Sequence, residues 1–450
     1  MRRARRSGPA GGHLRPWSGS LSWGEHTGLR RGEKGLAHLH CAGAVAIVPT
    51  TFRRAEFEGA SALSQGLWEA AMATALTFDP VTLPPEAEAL RSEVRQFVAD
   101  TLGNEHRRNS DFGASHDPEF SRALGQRGWI GMTWPTQYGG GGRSFFERYV
   151  MTEELLAAGA PVGAHWIADR QSGPLLLRYG TEAQREFFLP KIIAGECFFS
   201  IGMSEPDSGS DLASVRTTAT PVEGGWVVNG TKLWSSGAHR NHYMITLVRT
   251  DANPESRHAG LSQLIVDLRN SAGLTVRPIR NLAGDAEFNE VVFENCFVPD
   301  DRLVGEPGNG WTQVTSELGY ERSGPERFLS AFRVFVELLR EVGPEPTDHQ
   351  AAVLGRMAAH MMTLRNMSIS VAGMLEGNRN PVVEAALVKE LGNNFEREVP
   401  EIARLVAPAT ASALFRQTLE DTILHAPSFT IRGGTREILR GMIARGLGLR

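Results

Sequence analysis

Residues 226–237 read Trp226-Val227-Val228-Asn229-Gly230-Thr231-Lys232-Leu233-Trp234-Ser235-Ser236-Gly237. The opening residues are β-prone, and Asn-Gly supplies the positive φ values of a tight hairpin turn. The stretch therefore predicts a strand that ends in a hairpin at Asn229-Gly230. Tyr243 to Val248, Leu261 to Leu268 and Phe288 to Phe293 are further apolar, β-prone runs. Together they predict an antiparallel β domain over 197–304.

The texture differs on both sides. Pro84-Pro85-Glu86 opens a helix, since proline suits the first turn and acids suit the positive end of the dipole. Leu90, Val94, Phe97, Val98 and Leu102 follow at helical spacing. Phe145 to Ala158 and Glu182 to Ile193 also read as helix, with Pro190 a candidate kink and Tyr138 to Gly142 a glycine-rich break. An N-terminal helical domain over 78–196 is expected. After Gly308-Asn309-Gly310 the helical pattern returns in Trp311 to Arg322, Arg327 to Val342, Gln350 to Glu376, Val383 to Phe395 and Ile438 to Leu447. These make a C-terminal helical bundle over 305–450. Helices, then strands, then helices in blocks give an α+β class and argue against a parallel α/β sheet.

The chain has 450 residues, 41% of them hydrophobic, which is length for two or three domains. Its 47 basic and 51 acidic residues leave a net charge of -4, which gives no argument for nucleic acid or an anionic membrane as partner. No run of about 18 apolar residues is present, so no membrane span is expected. The cysteines are Cys41, Cys197 and Cys296, with no CxxC and no Cys/His cluster. Neither a metal site nor a disulfide framework is expected, and a cytoplasmic location fits best. Residues 1–71 are Arg-rich and unpatterned. A transit peptide and an extension without a folding role compete, and Glu25, Glu33, Glu56 and Glu58 favour the extension.

Two stretches carry candidate chemistry. Met203-Ser204-Glu205-Pro206-Asp207-Ser208-Gly209-Ser210-Asp211 offers small residues that let backbone approach a ligand, and hydroxyls that bond polar ring edges. Alone it reads first as a surface loop, and it does not fit the GxSxG of a serine hydrolase. In Asn229 to Gly237, Trp234 beside hydroxyls could face a planar cofactor, or be a core Trp at a strand end. Gly139 to Gly142 lacks the spacing of a dinucleotide fingerprint.

The two stretches in this order, about 30 residues apart, resemble the acyl-CoA dehydrogenase family. GWIGMTWPTQYGG from Gly128, YGTEAQREFFLP from Tyr179, Phe288-Asn289-Glu290-Val291 with Val298-Pro299, and the terminal Gly433-Gly434-Thr435-Arg436-Glu437-Ile438 complete the set. The resemblance runs from about Phe78 to Arg450. It implies a helical domain, a β-barrel-like domain and a four-helix bundle, with FAD between the last two. By matching position, Ile201, Met203, Ser204 and Gly209 are expected on the flavin, and Ser210 on the substrate. Trp234, Ser235 and Ser236 are expected against the flavin ring, and Thr435 and Glu437 near the FAD nucleotide half. Arg322, Gly433 and Gly434 are expected beside the substrate.

The implied reaction takes a proton from the carbon next to the thioester carbonyl, while hydride leaves the next carbon for the flavin. Many members place the base directly before the terminal Gly-Thr, where this chain has Gly433. Isovaleryl- and long-chain-type members place it on a bundle helix before an Arg, and the count from Gly310-Trp311 lands on Glu321-Arg322. Loss at one position and gain at the other make Glu321 the expected base. Glu326 is the nearest rival. A helical continuation would turn it off the face of Glu321, unless Gly324-Pro325 breaks the helix.

One region departs from the pattern. Where family homotetramers supply an Arg and a Phe-Gly to a neighbour's FAD, this chain has Leu339 and Val342, with Arg340 one place along. Glu396 to Ser412 also looks unlike the family segment, with Pro400 and Pro408 in its place. A homo- or heterotetramer is expected, the latter with a related dehydrogenase subunit, and an electron-transfer flavoprotein as acceptor. The expected role is FAD-dependent oxidation of an acyl-CoA to the 2,3-enoyl-CoA in lipid β-oxidation. A catalytically silent or half-site subunit and a same-fold oxidase or monooxygenase are the alternatives.

Overall fold

A computed structural model describes residues 76–103, 115–251 and 257–449, together with a two-residue antiparallel ladder pairing 40–41 with 44–45. The expectation for 1–71 otherwise lies outside the described residues. The residues described from 76 onward belong to one compact unit.

Helices come first: α1 (Pro85–Leu102), α2 (Pro118–Gln126), α3 (Phe145–Ala157), α4 (Gly163–Ile167), α5 (Gly173–Tyr179) and α6 (Glu182–Ile193). Their starts are written in the sequence. Asp117 accepts from the N–H groups of Glu119 and Phe120. Ser144 with Glu147 and Thr181 with Gln184 close capping boxes. The run α6 continues through Pro190.

An eight-stranded sheet follows: β1 (Phe199–Gly202), β2 (Thr218–Val222), β3 (Gly225–Lys232), β4 (Tyr243–Arg249), β5 (Leu261–Asp267), β6 (Leu274–Ile279), β7 (Phe288–Pro299) and β8 (Leu303–Val304). The order is β8-β5-β4-β2-β3-β7-β6, with β1 paired to β4 in parallel. Most ladders are antiparallel, as expected, but β1 and β2 each pair with β4 in parallel, which makes the sheet mixed.

The hairpin expected at Asn229-Gly230 is a correction. The turn lies earlier, at Glu223-Gly224 between β2 and β3, with Val222 paired to Gly225. Asn229 and Gly230 sit inside β3, where the register against β7 shifts between Val228 and Gly230. A bulge also uses the freedom that an Asn-Gly pair offers, so the same local signal marks an irregularity within a strand and not a reversal.

The C-terminal helices are α7 (Gly310–Glu321), α8 (Phe332–Val342), α9 (Asp348–Glu376), α10 (Val382–Val406), α11 (Ala413–Phe429) and α12 (Arg436–Gly446). The expected helix from Arg327 starts only at Phe332, because Pro325–Arg327 forms a separate 3-10 turn. α10 runs on past Phe395, through Pro400, to Val406. α11 has no counterpart among the expected helices; Ser412 caps it and Pro427 lies in its last turn. One continuous apolar core joins the first helices to α8–α11 through Trp129, Phe188, Phe328, Phe395 and Phe415, and the sheet has its own core around Val228, Val266 and Phe293.

Candidate active site

The site begins where two loops are tied to one another. Beyond β1, Glu205 and Ser208 exchange backbone hydrogen bonds in a tight turn. The Glu205 carboxylate, buried, accepts from the N–H groups of Arg216 (2.6 Å) and Thr217 (2.9 Å) and from Lys232 Nζ (2.8 Å). Lys232 is fully buried and also donates to Met203 O at 3.1 Å. Burial opposes ionisation of Glu205, but the Lys232 ammonium and the amides overcome it and hold the carboxyl below its ordinary value. Burial pushes Lys232 down to about 8, so the pair remains ionised at neutral pH. The ion pair staples the Met203–Ser208 loop to the end of β3. Leu233 N–H to Ser204 O (2.8 Å) and Ser200 Oγ to Ser236 O (2.7 Å) complete the junction.

On this junction stands Trp234, with φ 64° and 54% of its surface exposed. A Trp in left-handed backbone is strained, and an exposed indole leaves a large apolar face in water. Its ring meets Phe288 edge-on at 6.0 Å. Next to it Ser235 is buried, with its hydroxyl unpartnered. A flat, hydrogen-bonding ring system fits this combination: it would cover the indole while the small residues of 201–204 and 234–236 let it approach. Ile201, Met203, Ser204, Trp234, Ser235 and Ser236 stand on the two stretches that the junction's bonds tie together. Gly209 and Ser210 lie farther along the loop and are exposed.

The loop also meets the helix that carries the expected base. Met203 and Leu212 pack with Trp311 and Val314 of α7, and with Leu247 and Leu261 of the sheet. Gly310 permits this, because a Cβ there would meet Leu261 and Ser262 backbone at 2.7 Å. Glu321 is the last residue of α7, and the bend at Ser323-Gly324 follows. Arg322, only 2% exposed, turns inward: Nε donates to Gly433 O (3.3 Å) and a terminal nitrogen to Met442 Sδ (3.0 Å). The end of α7 therefore sits against the Gly433-Gly434 turn.

Thr435 is the N-cap residue of α12, with Glu437 in its first turn. The Glu437 carboxyl is held below its usual value by its own backbone N–H and the Thr435 hydroxyl. Glu326, the rival base, is 1% exposed, paired with Arg170 and 3.6 Å from Arg327. Arg340 lies on α8 and donates to Glu337. Sequence reasoning missed the Glu205–Lys232 staple and Lys389, which is fully buried on α10 and donates to Gly434 O at 2.8 Å. Neither carries a local signal, because a lysine in a strand or helix reads as solvated until its neighbours are known. Among the described residues no cluster of His, Cys, Asp and Glu could hold a metal ion, and no helix is long and apolar enough to cross a membrane.

Family models for the acyl-CoA dehydrogenase N-terminal, middle and C-terminal domains match residues 84–196, 200–296 and 308–448. The acyl-CoA dehydrogenase IpdE1 of Mycolicibacterium smegmatis is 33% identical over 391 residues, covering 81% of this chain and 98% of that protein. The solved Tcur3481-Tcur3483 steroid ACAD superposes with a TM-score of 0.74 at 29% identity, over 82% of this chain and 99% of the other. The ChsE4-ChsE5 complex from Mycobacterium tuberculosis gives 0.71 at 30%, over 82% and 99%. The chain belongs to the acyl-CoA dehydrogenase family, whose members are FAD-dependent oxidoreductases.

Proposed function

We propose that this chain oxidises an acyl-CoA thioester to its 2,3-enoyl-CoA, with Glu321 as the base that takes the α-proton. The observation that carries the reading is the seat of Arg322 on Gly433 O. Two positions for the base occur in the family. This chain has Gly433 at one and Glu321 at the other, and Arg322, the residue after Glu321, bonds Gly433 O. Glu326 is a poor rival, since its carboxylate is held by Arg170 beneath the surface.

The residues divide the work. FAD supplies the hydride acceptor when bound. Trp234, Ser235 and Ser236, with Ile201, Met203, Ser204 and Gly209, would hold its ring, and Thr435 and Glu437 its nucleotide half. Ser210, Arg322, Gly433 and Gly434 would line the thioester. Desolvation by the bound substrate would raise the basicity of a carboxylate, and donors fixed around the carbonyl would lower the barrier to proton removal.

A bulky, steroid-like acyl group is the substrate class we assign. The likeness to the Tcur3481-Tcur3483 steroid ACAD supports it, as does the bend at Ser323-Gly324 directly after Glu321. Exposed Leu339, Met362, Leu405 and Leu424 on α8–α11 fit burial in a tetramer with a related subunit. An electron-transfer flavoprotein in the cytoplasm would complete turnover, and the buried free thiols Cys197 and Cys296 fit a reducing compartment.

The test is Glu321→Gln. FAD content should stay at the wild-type level. Anaerobic bleaching by a panel of acyl-CoA esters should slow by about 10³-fold, because the base is lost while the binding site remains. Bleaching at the wild-type rate would remove Glu321 from the mechanism.

A further inference from the structure

α10 carries an unusual stripe. Lys389, Asn393 and Glu396 stand at helical spacing i, i+4 and i+7, and all are fully buried. Each grips the short segment that leads into α12. Lys389 Nζ donates to Gly434 O (2.8 Å). Asn393, with its amide oxygen turned to Lys389 Nζ (2.9 Å), donates to Phe429 O (3.0 Å). Glu396 accepts from Ser330 N–H (2.7 Å) and lies 3.6 Å from Arg432. Three buried polar side chains on one helix thus fix residues 429, 432 and 434. Burying an ammonium is costly unless its hydrogen bonds are made, so the arrangement is a built one.

The consequence lies in the turn itself. Gly433 O is drawn to Arg322 and Gly434 O to Lys389. All described peptide bonds are trans, and in a trans peptide the N–H points opposite to the C=O of the same unit. Fixing these two carbonyls on two cations therefore turns the N–H groups of Gly434 and Thr435 the other way. The φ values of 68° and 107° at Gly433 and Gly434 are ones that glycine adopts without strain.

The geometry points to Lys389 as a positioning residue: by holding Gly434 O, it aims the Thr435 amide, beside the Gly434 amide that Arg322 orients through Gly433 O, at an electron-rich oxygen of the bound ligands. That oxygen belongs either to the substrate's thioester or to a phosphate of the cofactor. The inference rests on the proposed site, but not on which residue is the base.

The experiment compares the full-length wild type with Lys389→Met and Lys389→Arg, each checked for folding by circular dichroism. Amide hydrogen exchange at Gly434 and Thr435 should be at least about tenfold faster in K389M, since an anchor of the turn is gone. If the oxygen is the thioester's, K389M keeps its Kd for FAD. Its anaerobic flavin reduction by acyl-CoA then slows about 10²-fold at nearly unchanged KM, as expected for misplaced donors. If it is a phosphate, the Kd for FAD rises about tenfold instead. K389R, which keeps the charge and a donor, should recover most of either loss. Wild-type exchange, FAD affinity and reduction rate in K389M would overturn the inference. Should K389M not fold, Asn393→Ala loosens the same ammonium, and wild-type values there overturn it equally. Failure of the base assignment reads differently: E321Q would then bleach normally, while the exchange and FAD titrations of K389M stand on their own.

Discussion

At the scale of single residues, the Glu205–Lys232 pair shows how much of this site is held from beneath. Both side chains are buried, and they join a loop to a strand end 27 positions away. Removing one partner from such a pair leaves an uncompensated buried charge. Glu205→Gln should therefore destabilise the protein by about 3–5 kcal/mol, read from the urea midpoint. The double variant Glu205→Gln with Lys232→Met should recover part of that loss, because the stranded ammonium is gone. With Lys232→Met measured alone as well, a double-variant loss equal to the sum of the two single losses would show that the pair is not coupled. The same residues mark a limit of the sequence. MSEPDSGSD and NGTKLWSSG identify the two stretches, and the bond from Leu233 N–H to Ser204 O ties them together. That Glu205 and Lys232 pair inside is a matter of strand register, which no local pattern carries. Glu321 and Gly433 were singled out for another reason: counting along the chain puts a carboxylate at one of the two family positions for the base and a glycine at the other. Lys389 was not, since a lysine in a helix reads as solvated until the helix's neighbours on every side are known.

Elements were legible where their ends carry their own chemistry. Ser144, Thr181 and Thr347 each close a capping box, and the helices they start are among those with the clearest spacing. The end of α7 was harder: its last residue is decided by the bend at Ser323-Gly324, and the next turn by Pro325. α11 was hidden because Pro427 sits in its body and its buried face mixes Thr418, Thr422 and His425 with Phe415 and Phe429. Packing of α2 against α4 yields a pH-dependent prediction. His165 on α4 is buried, with its Nδ1 2.8 Å from Ser121 Oγ on α2. Burial pushes the imidazole down to about 4, with Asp169 opposing only in part. The folded value lies below the ordinary value of about 6.5, so the unfolded chain takes up the proton first on acidification. Stability is therefore full above about pH 6.5, falls as the pH drops, and stops falling near 4. Between pH 7.5 and 5 the wild type should lose about 2 kcal/mol more than His165→Gln, measured by urea unfolding at each pH. Parallel pH dependence in the two proteins would remove His165 as the cause.

On the scale of the whole molecule, the bundle surface bears on which chains complete the FAD site. The bundle helices leave Leu339, Leu405 and Leu424 exposed, and Leu339 stands where the resemblance places a neighbour-donated Arg. Leucine offers no donor to a pyrophosphate, and Arg340 beside it is engaged by Glu337. The solved ChsE4-ChsE5 complex and the Tcur3481-Tcur3483 steroid ACAD each pair two differently named chains. The prediction is that this chain, expressed alone, carries FAD at well under one per subunit. Co-expression with a related dehydrogenase that retains the Arg and Phe-Gly should give a mixed assembly by native mass spectrometry. The assembly should hold flavin in the site built on this chain's Trp234 and bleach with acyl-CoA. Its bleaching should depend on Glu321, so the E321Q assembly keeps its flavin colour when substrate is added. A homotetramer of this chain alone, replete with FAD and active, would show instead that Arg340 or another cation serves the neighbouring site. Substituting Arg340 by Ala in that homotetramer would then decide between those two, since only the former loses flavin.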